Sequence, residues 1–324
     1  MFAPPRRGPA NAGWGGMRPT DIRRLWAASG RVATGKGSRG LMARLRIMRA
    51  GWHHREALGT LLHAPAHGLL ARLVGERPEF LAFAEAPYLC AGWDTPTRIA
   101  HFARHAATAE SLGGMFAMAV DEGIELLDLA EIRPGYHVVL DKPMWFHREG
   151  QFALNLFRDN LRLFSLSFAV TRAEAGLTAM IGGIQGRNLD GMLDEYRIVT
   201  KAAEGLRPRD LLIELFRMLC RAVGVAEIYA VSDAARHHRS PYFGKDTGRP
   251  LPLDYDAIWE ERGGERIDRD FFSLPIARQS RDPADIPARK RAMYRKRYEL
   301  LDRLEAAMAA GIKDAKPARR PEAE

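Results

Sequence analysis

The architecture of this chain follows from one stretch, which reads LTAMIGGIQG at residues 177–186 and PRDLLIELFRMLCRAVGVAEIYAVSD at residues 208–233. The first string predicts a β-strand, Leu177–Ile184, that ends in a glycine-rich turn. The second predicts a helix and then a buried strand, Val225–Ser232, rich in Val, Ile and Tyr. Strand, glycine turn, helix and strand is the order in which α/β proteins place backbone N–H groups around a ligand.

The helix in this stretch is predicted by its apolar period. Residues at i, i+3, i+4, i+7, i+10 and i+11 are apolar, and they are Leu212, Leu215, Phe216, Leu219, Ala222 and Val223. Pro208 suits a first helical turn because its missing N–H would be unpaired there, and Asp210 favours the positive end of the helix dipole. Gly224 predicts a left-handed cap. We therefore expect a helix over 209–223 that packs on a sheet through one face.

The rest of the chain predicts an α+β fold with a mostly antiparallel central sheet flanked by helices. Short strands separated by turn residues precede the central unit, and they are 124–132, 137–140, 151–157 and 161–170. A long helix over 287–310 closes the chain. The predicted organisation is a basic, Gly/Pro-rich disordered tail at 1–35, a helical part at 36–122, an α+β core at 123–310 and a polar tail at 311–324.

The positive charge of the chain is concentrated near its start. Residues 1–60 carry 12 Lys and Arg against two acids, which leaves the remaining residues close to neutral although the whole chain is +9. Attraction to polyanions therefore comes mostly from this segment. Leu41, Leu45, Met48 and Trp52 form a helical patch beside several arginines. This patch fits either an amphipathic helix at a membrane interface or a helix packed on the body with solvated arginines.

Several classes of protein are excluded by what the sequence lacks. Cys90 and Cys220 make neither a disulfide framework nor a metal cluster, and this usage fits a reducing cytoplasm. No apolar run reaches the roughly 18 residues of a transmembrane helix. The chain holds no Gly-x-Ser-x-Gly, Walker lysine, His-Glu-x-x-His or Cys-x-x-Cys motif, which excludes the corresponding esterases, nucleoside triphosphatases and zinc hydrolases. The sequence therefore predicts a cytoplasmic protein without a metal centre.

Two sets of residues are candidates for a functional site. His237 and His238 follow a strand end and are the best general-base candidates, although adjacent loop histidines are often simply solvated. The candidate cofactor-binding residues are those of the glycine turn and the basic residues that could form one anion site, namely Gly183, Gln185, Gly186, Lys201, Arg207, Lys290, Arg291 and Arg295. The alternative for the glycines is a bulge or a close packing contact, and for the cations a scattered surface charge.

The chain resembles the bacterial VirK/YbjX family, a domain of unknown function, over roughly residues 40–305. The matching segments are Ile181–Gly186, Thr200–Lys201, Gly205–Pro208, Ala230–Ser232, Tyr255–Asp256 with Trp259, Phe272–Pro275, Lys290–Arg295 and Arg297–Tyr298. This resemblance implies a cytoplasmic protein linked to envelope homeostasis or virulence, with no agreed activity. The arrangement is also similar, more weakly, to N-acyltransferases of the GNAT type. That similarity implies acyl-CoA or an acyl carrier protein as donor.

Two functions follow as hypotheses. The first is a GNAT-like acyltransferase in which backbone N–H groups near Ile184–Gly186 polarise the thioester and His237 or His238 deprotonates the acceptor. The second is a non-enzymatic binding or regulatory protein that recognises anionic lipid, a lipid precursor or nucleic acid, with a peripheral location at the inner membrane as one expectation. A cleft on which Gln185, Arg207 and His237 converge favours the first, and basic residues facing outward favour the second.

Overall fold

The computed structural model describes residues 17–244 and 251–319, so the expectations for residues 1–16 and 320–324 lie outside the described residues. The described helices are α1 (Pro19–Val32), α2 (Gly37–His53), α3 (Arg55–Leu62), α4 (Leu69–Glu76), α5 (Thr95–Leu112), α6 (Met192–Ala202), α7 (Pro208–Ala222), α8 (Tyr255–Glu261) and α9 (Ala288–Asp314). The described strands are β1 (Glu122–Asp128), β2 (Tyr136–Asp141), β3 (Phe152–Arg158), β4 (Leu161–Ala173), β5 (Gly176–Gly186), β6 (Val225–Val231), β7 (Glu265–Arg266), β8 (Phe271–Leu274) and β9 (Ala318–Arg319).

The strands form one open sheet in the order β7-β8-β6-β5-β4-β3-β2-β1-β9. β5 and β6 pair in parallel, and the other described neighbours pair antiparallel. The parallel pair arises because β5 returns to β6 through α6 and α7, whereas two-residue turns connect β3 to β4 and β4 to β5, and the longer loop 142–151 connects β2 to β3. The sheet confirms the predicted α+β class with a mostly antiparallel sheet. Each predicted strand corresponds to an observed one, although the first ends at Asp128, where the chain turns.

Helix α7 is the centre of the hydrophobic core. Leu212, Leu215, Phe216 and Leu219 are fully buried, as the period predicts, and Gly224 has the left-handed φ of +75° expected of a cap. The helix is buried on its other side too, because it contacts β3, β4 and β5 on one face and α9 on the opposite face. The buried side chains of Glu214 and Arg217, both in α7, form an ion pair of 2.8 Å. The chain is thus layered as sheet, α7 and α9.

Four features differ from the sequence-based expectation. The residues predicted as a glycine-rich turn, 182–186, do not turn and belong to strand β5. Helix α1 lies inside the segment 1–35 for which composition predicts disorder, and it forms because Leu25 and Ala28 bury against the body. Helix α6 lies between β5 and α7, and the predicted order of strand, glycine turn, helix and strand does not include it. In the predicted polar tail, Ala318 pairs with Gly123 of β1.

Helices α1 and α2 form a hairpin that packs through small residues. Gly40, Ile47 and Gly51 are the buried residues of α2. A Cβ atom on Gly51 would lie 2.3 Å from a methyl carbon of Leu25, so a larger residue there would displace the Leu25 side chain. Among the described residues no helix combines the length and apolar content that crossing a membrane requires.

The burial of Leu215 leads to a stability prediction. We expect Leu215→Ala to lower the free energy of unfolding by about 2–5 kcal/mol, because it removes buried methyl groups and leaves a cavity in a two-sided core. Chemical denaturation measures the difference. Leu193→Ala in α6 is the matched control, since Leu193 is 70% exposed and its loss should change stability by no more than about 0.5 kcal/mol. Equal effects of the two variants would contradict the layered core.

Candidate functional site

Three segments meet at the carboxyl end of the parallel pair. The pairing of β5 with β6 ends near Ile181, and β5 continues to Gly186 beside β4. Around this end lie the segment before α5, the β2–β3 loop (residues 142–151) and the segment after β6. The N–H of Leu89 donates to the carbonyl of Arg148 over 2.7 Å, and backbone contacts also join the first segment to the third. Ligands of open sheets with parallel strands bind at such carboxyl ends, so this region is the primary candidate site.

A β-bulge brings the β2–β3 loop onto the sheet. The register of β4 with β5 shifts between Ser167 and Phe168, opposite Gly182. A Cβ atom on Gly182 would lie 1.9 Å from the carbonyl oxygen of Glu149, and one on Gly183 would lie 2.2 Å from its Oε2. The two glycines therefore provide both the bulge and the close contact that were the alternative to cofactor binding.

Glu149 and the two histidines form one cluster. Oε1 of Glu149 lies 3.3 Å from Nδ1 of His237 and 4.0 Å from Nδ1 of His238. The two imidazole centroids are 3.8 Å apart, and the ring of Phe243 packs against both. Glu149 and His237 are buried, whereas the side chain of His238 is 42% exposed. The cluster is consequently a buried pair that reaches solvent through His238.

Burial controls the protonation of this cluster. It raises the pKa of Glu149 to about 8, although the positive charge of Arg236 acts in the opposite direction. Burial, and then the neighbouring His238, lowers the pKa of His237 well below its ordinary value. Both groups therefore favour their uncharged forms at neutral pH. The 3.3 Å contact between them then joins a carboxyl group to a neutral imidazole and is not an ion pair.

A charged network surrounds the cluster. Asp233 accepts hydrogen bonds from Arg236 over 3.2 Å and from Arg239 over 2.6 Å. Burial raises the pKa of Asp233, but these hydrogen bonds outweigh it and hold the pKa below its ordinary value. The guanidinium of Arg236 lies 3.8 Å from the ring centroid of Tyr255. The Tyr255 hydroxyl donates to the carbonyl of Ile184 over 3.0 Å and accepts from its N–H over 2.8 Å. Tyr255 thus supplies hydrogen bonds to the backbone of Ile184, which lies beyond the point where β5 stops pairing with β6.

The predicted residues of the glycine turn are divided between two surroundings. Gly183 contacts Glu149. Gln185 and Gly186 line a separate cavity of about 390 Å³ beside Arg162 and Arg187. Burial lowers the pKa of Arg162 to about 10, aided by the charge of Arg187. This cavity and the histidine cluster are therefore separate, although both adjoin the end of β5.

The predicted anion-site residues are only partly brought together. Lys201 and Arg207 line a cavity of about 720 Å³, and the residue of α9 that lines it is Met293. Arg207 is paired with Asp210 over 3.0 Å and with Glu261 over 3.1 Å, so its charge is largely compensated. Lys290, Arg291 and Arg295 are exposed on α9 and do not line this cavity. Arg291 donates to the carbonyl of Ile286 over 3.1 Å, and Arg295 lies 3.8 Å from Glu299.

Sequence reasoning singled out His237 and His238 but missed Glu149. The carboxylate belongs to a loop far from the histidines in sequence and has no motif of its own. The one available signal was the glycine doublet inside a strand, which indicates close approach of another backbone without saying which one. Only the fold brings the β2–β3 loop to that doublet.

Comparison with known proteins settles the family. A family profile described as "Protein of unknown function (DUF535)" matches residues 38–310. The chain belongs to the DUF535 family. This result confirms the VirK/YbjX resemblance, because the curated relatives include the uncharacterized protein YbjX of Escherichia coli K12, which is 31% identical over 191 residues. No solved structure matches the chain.

The similarity to individual DUF535 relatives is partial. The match to YbjX covers 58% of this chain and 57% of YbjX. An uncharacterized protein of Haemophilus influenzae is 31% identical over 178 residues, covering 55% of this chain and 58% of the relative. The chain therefore spans under three fifths of the length of these relatives, and their printed names assign no activity.

The glycine contact gives the second prediction. We expect Gly182→Ala to destabilise the protein by about 1–3 kcal/mol, because the new methyl group overlaps a backbone oxygen that cannot rotate away. Gly75→Ala in α4 is the matched control, since a Cβ atom there has no neighbour within 4 Å and should stabilise the helix by about 0.5–1 kcal/mol. Denaturation curves distinguish the two. If Gly182→Ala is also neutral or stabilising, the β2–β3 loop does not lie on β5 as described.

Proposed function

We propose that this protein binds peripherally to the surface of an anionic lipid membrane through the α1–α2 hairpin. The observation that carries the proposal is the outward orientation of an apolar stripe on α2. Leu41, Leu45 and Trp52 are 49%, 46% and 55% exposed, although their spacing is that of a helix face normally buried against a protein body. A membrane interface accepts such a face, because its apolar side chains enter the boundary between headgroups and acyl chains.

The packing of the hairpin leaves this stripe uncovered. The buried residues of α2 are Gly40, Ile47 and Gly51, which lie roughly 100° around the helix from Leu41, Leu45 and Trp52. Met48, between the two faces, is half-buried against the core. Helix α1 extends the apolar surface with Trp26, which is 39% exposed. The guanidinium of Arg44 lies 3.8 Å from the Trp26 ring centroid and joins the two helices. Tryptophan is enriched at membrane interfaces because its ring is apolar while its N–H stays hydrated.

The charge of the hairpin complements an anionic surface. Ten basic residues lie between positions 17 and 55, and they are Arg18, Arg23, Arg24, Arg31, Lys36, Arg39, Arg44, Arg46, Arg49 and Arg55. The one acid in this range is Asp21, which is buried and paired with Arg18 over 3.1 Å. Each basic residue near an anionic leaflet contributes about 1 kcal/mol of attraction. Apolar insertion and charge together supply the two contributions that stable peripheral binding needs.

This proposal also concerns where the protein acts. A surface of this kind fits the cytoplasmic face of the bacterial inner membrane, where anionic lipids attract basic segments. Cys90 and Cys220 are buried free thiols, which suits a reducing compartment. Binding at that face would connect the protein with envelope homeostasis, and hence with virulence. Nucleic acid is the less favoured partner, because phosphate contacts would use the arginines but not Leu41, Leu45 or Trp52.

Vesicle co-sedimentation tests the proposal. We expect the full chain to bind vesicles of phosphatidylcholine with phosphatidylglycerol, and to bind pure phosphatidylcholine much less. Leu45→Ser and Trp52→Ala should each weaken binding about tenfold or more, because burying one such side chain contributes about 1.5–3 kcal/mol. Raising the salt concentration should weaken binding further, since exposed charges are screened.

Leu193→Ser is the matched control, because Leu193 is exposed on α6 outside the hairpin. It should bind vesicles like the unmodified chain. Vesicle binding unaffected by Leu45→Ser and Trp52→Ala would remove the hairpin from the proposal. Absence of vesicle binding, together with salt-sensitive binding to duplex DNA, would assign the basic helices to nucleic acid instead.

A second candidate function is acyl transfer of the GNAT type. The observation in its favour is the parting of the parallel strands β5 and β6 beside Glu149 and His237, at the end of a strand–helix–strand unit. An acyl donor could use backbone N–H groups near Gly186, and His237 or His238 would take the proton of the acceptor. Two observations oppose it. Tyr255 occupies both backbone groups of Ile184, and Gln185, Arg207 and His237 do not share one cavity.

Thermal shift measurements with acetyl-CoA and palmitoyl-CoA test this candidate. If a CoA thioester binds, a concentration of a hundred times its Kd stabilises the fold by about 2.7 kcal/mol, and Tm rises accordingly. Tyr255→Phe frees the N–H of Ile184, so we expect a larger ligand-induced rise in that variant. No rise with either thioester, in either protein, would leave lipid binding as the proposed function.

A further inference from the structure

Two polar atoms in the Glu149 cluster lack partners within the part of the chain that the structure describes. Oε2 of Glu149 and Nδ1 of His237 are buried and make no hydrogen bond, and the two residues are 4% and 6% exposed. Buried polar groups are nearly always paired, because an unpaired one costs about 1–3 kcal/mol. Oε2 lies on the side of β5, 2.2 Å from where a Cβ atom on Gly183 would be, whereas Oε1 of the same carboxyl group faces Nδ1 of His237 over 3.3 Å. A ligand that accepts electron pairs from the Glu149 carboxyl group and from Nδ1 of His237 would satisfy this buried pair.

We propose that Glu149, His237 and His238 bind one divalent transition-metal ion of the zinc type. One ligand atom from each residue lies within 4.8 Å of the others. Bonds of about 2.0–2.1 Å in a tetrahedron separate the ligand atoms by roughly 3.3–3.4 Å. The observed separations from Oε1 of Glu149 are 3.3 Å to His237 and 4.0 Å to His238. A rotation of the His238 ring that shortens the 4.0 Å separation would complete three bonds.

The ligand types select the ion. One carboxylate and two imidazoles suit zinc and its first-row neighbours, whereas calcium and magnesium favour all-oxygen sites. Three protein ligands leave a fourth position, as in catalytic sites of this class. His238 is the partly exposed member of the cluster, so the fourth position opens to solvent on its side. A ligated imidazole nitrogen cannot act as a base, and metal binding would therefore exclude the general-base role considered for the same atom.

The positive groups near the cluster are engaged elsewhere. Arg236 is paired with Asp233 over 3.2 Å and donates to the carbonyl of Leu253 over 2.7 Å. The guanidinium of Arg148 lies 5.5 Å from the ring centroid of Tyr242 and 5.6 Å from that of Phe243. Their charges weaken cation binding but do not occupy the ligand atoms.

Isothermal titration of the untagged, EDTA-treated full chain with ZnCl₂ tests the proposal. We expect one ion per chain. Glu149→Gln and His238→Ala should weaken binding by more than the roughly 10–100-fold that loss of an outer-shell partner costs. His238 is partly exposed, so His238→Ala keeps the test valid if Glu149→Gln fails to fold. Cobalt binding provides a second readout, because a tetrahedral cobalt site absorbs strongly in the visible and the variants should lose this band.

The double variant His53→Ala/His54→Ala is the matched control. These adjacent histidines have ring centroids 4.6 Å apart but belong to no three-ligand group within the described residues. The control should keep one zinc ion per chain and the cobalt spectrum. The proposal is overturned if the unmodified chain binds no zinc, or if it binds zinc equally well after His238→Ala and Glu149→Gln.

Discussion

The contact between Glu149 and the glycine doublet of β5 is the constraint on which the candidate site depends. The β2–β3 loop can lie on the sheet only because Gly182 and Gly183 have no side chains, since any Cβ atom there would overlap Glu149. The bulge at the same position turns the end of β5 away from β6. One local feature therefore places a carboxyl group in the sheet interior and creates the gap in which it faces two histidines.

Glycine also determines the surface formed by the α1–α2 hairpin. In the α1–α2 hairpin, Gly51 receives Leu25 and Gly40 lies against the backbone of Gly35. Close helix contact through small residues needs little apolar surface, which leaves the larger side chains of α2 to face outward. The exposed stripe is thus a consequence of how the hairpin packs. The hairpin is held together without any other molecule covering this stripe. The solvated arginines of α2 do not explain why three large apolar side chains of the same helix are exposed. Exposed apolar patches usually mark interaction surfaces.

Much of the fold could be predicted from the sequence, because strong periodicity survives in single segments. Alternation and turn residues located β2 to β6, and the apolar stripe located α7. Helix α6 was missed because its buried residues, Met192 and Val199, are too few to show a period. The stripe of α2 was detected, but sequence alone could not tell which face of the helix is buried. Glu149 could not be predicted because its role arises from long-range packing, which leaves no local pattern.

Contacts through Arg46 connect the α1–α2 hairpin with the cluster of Glu149, His237 and His238. This residue belongs to α2, pairs with Glu85 over 3.2 Å, and lies 5.8 Å from the ring centroid of Tyr242. Tyr242 packs against Phe243, and Phe243 packs against His238. If α2 moved on attachment to a surface, this path of contacts is how the movement would reach the packing around His238. Thermodynamic linkage makes any such effect mutual. If attachment of α2 to a surface changes the affinity for a ligand at His238 by some factor, the bound ligand changes the affinity for the surface by the same factor. The hairpin and the histidine cluster would then behave as two ends of one switch.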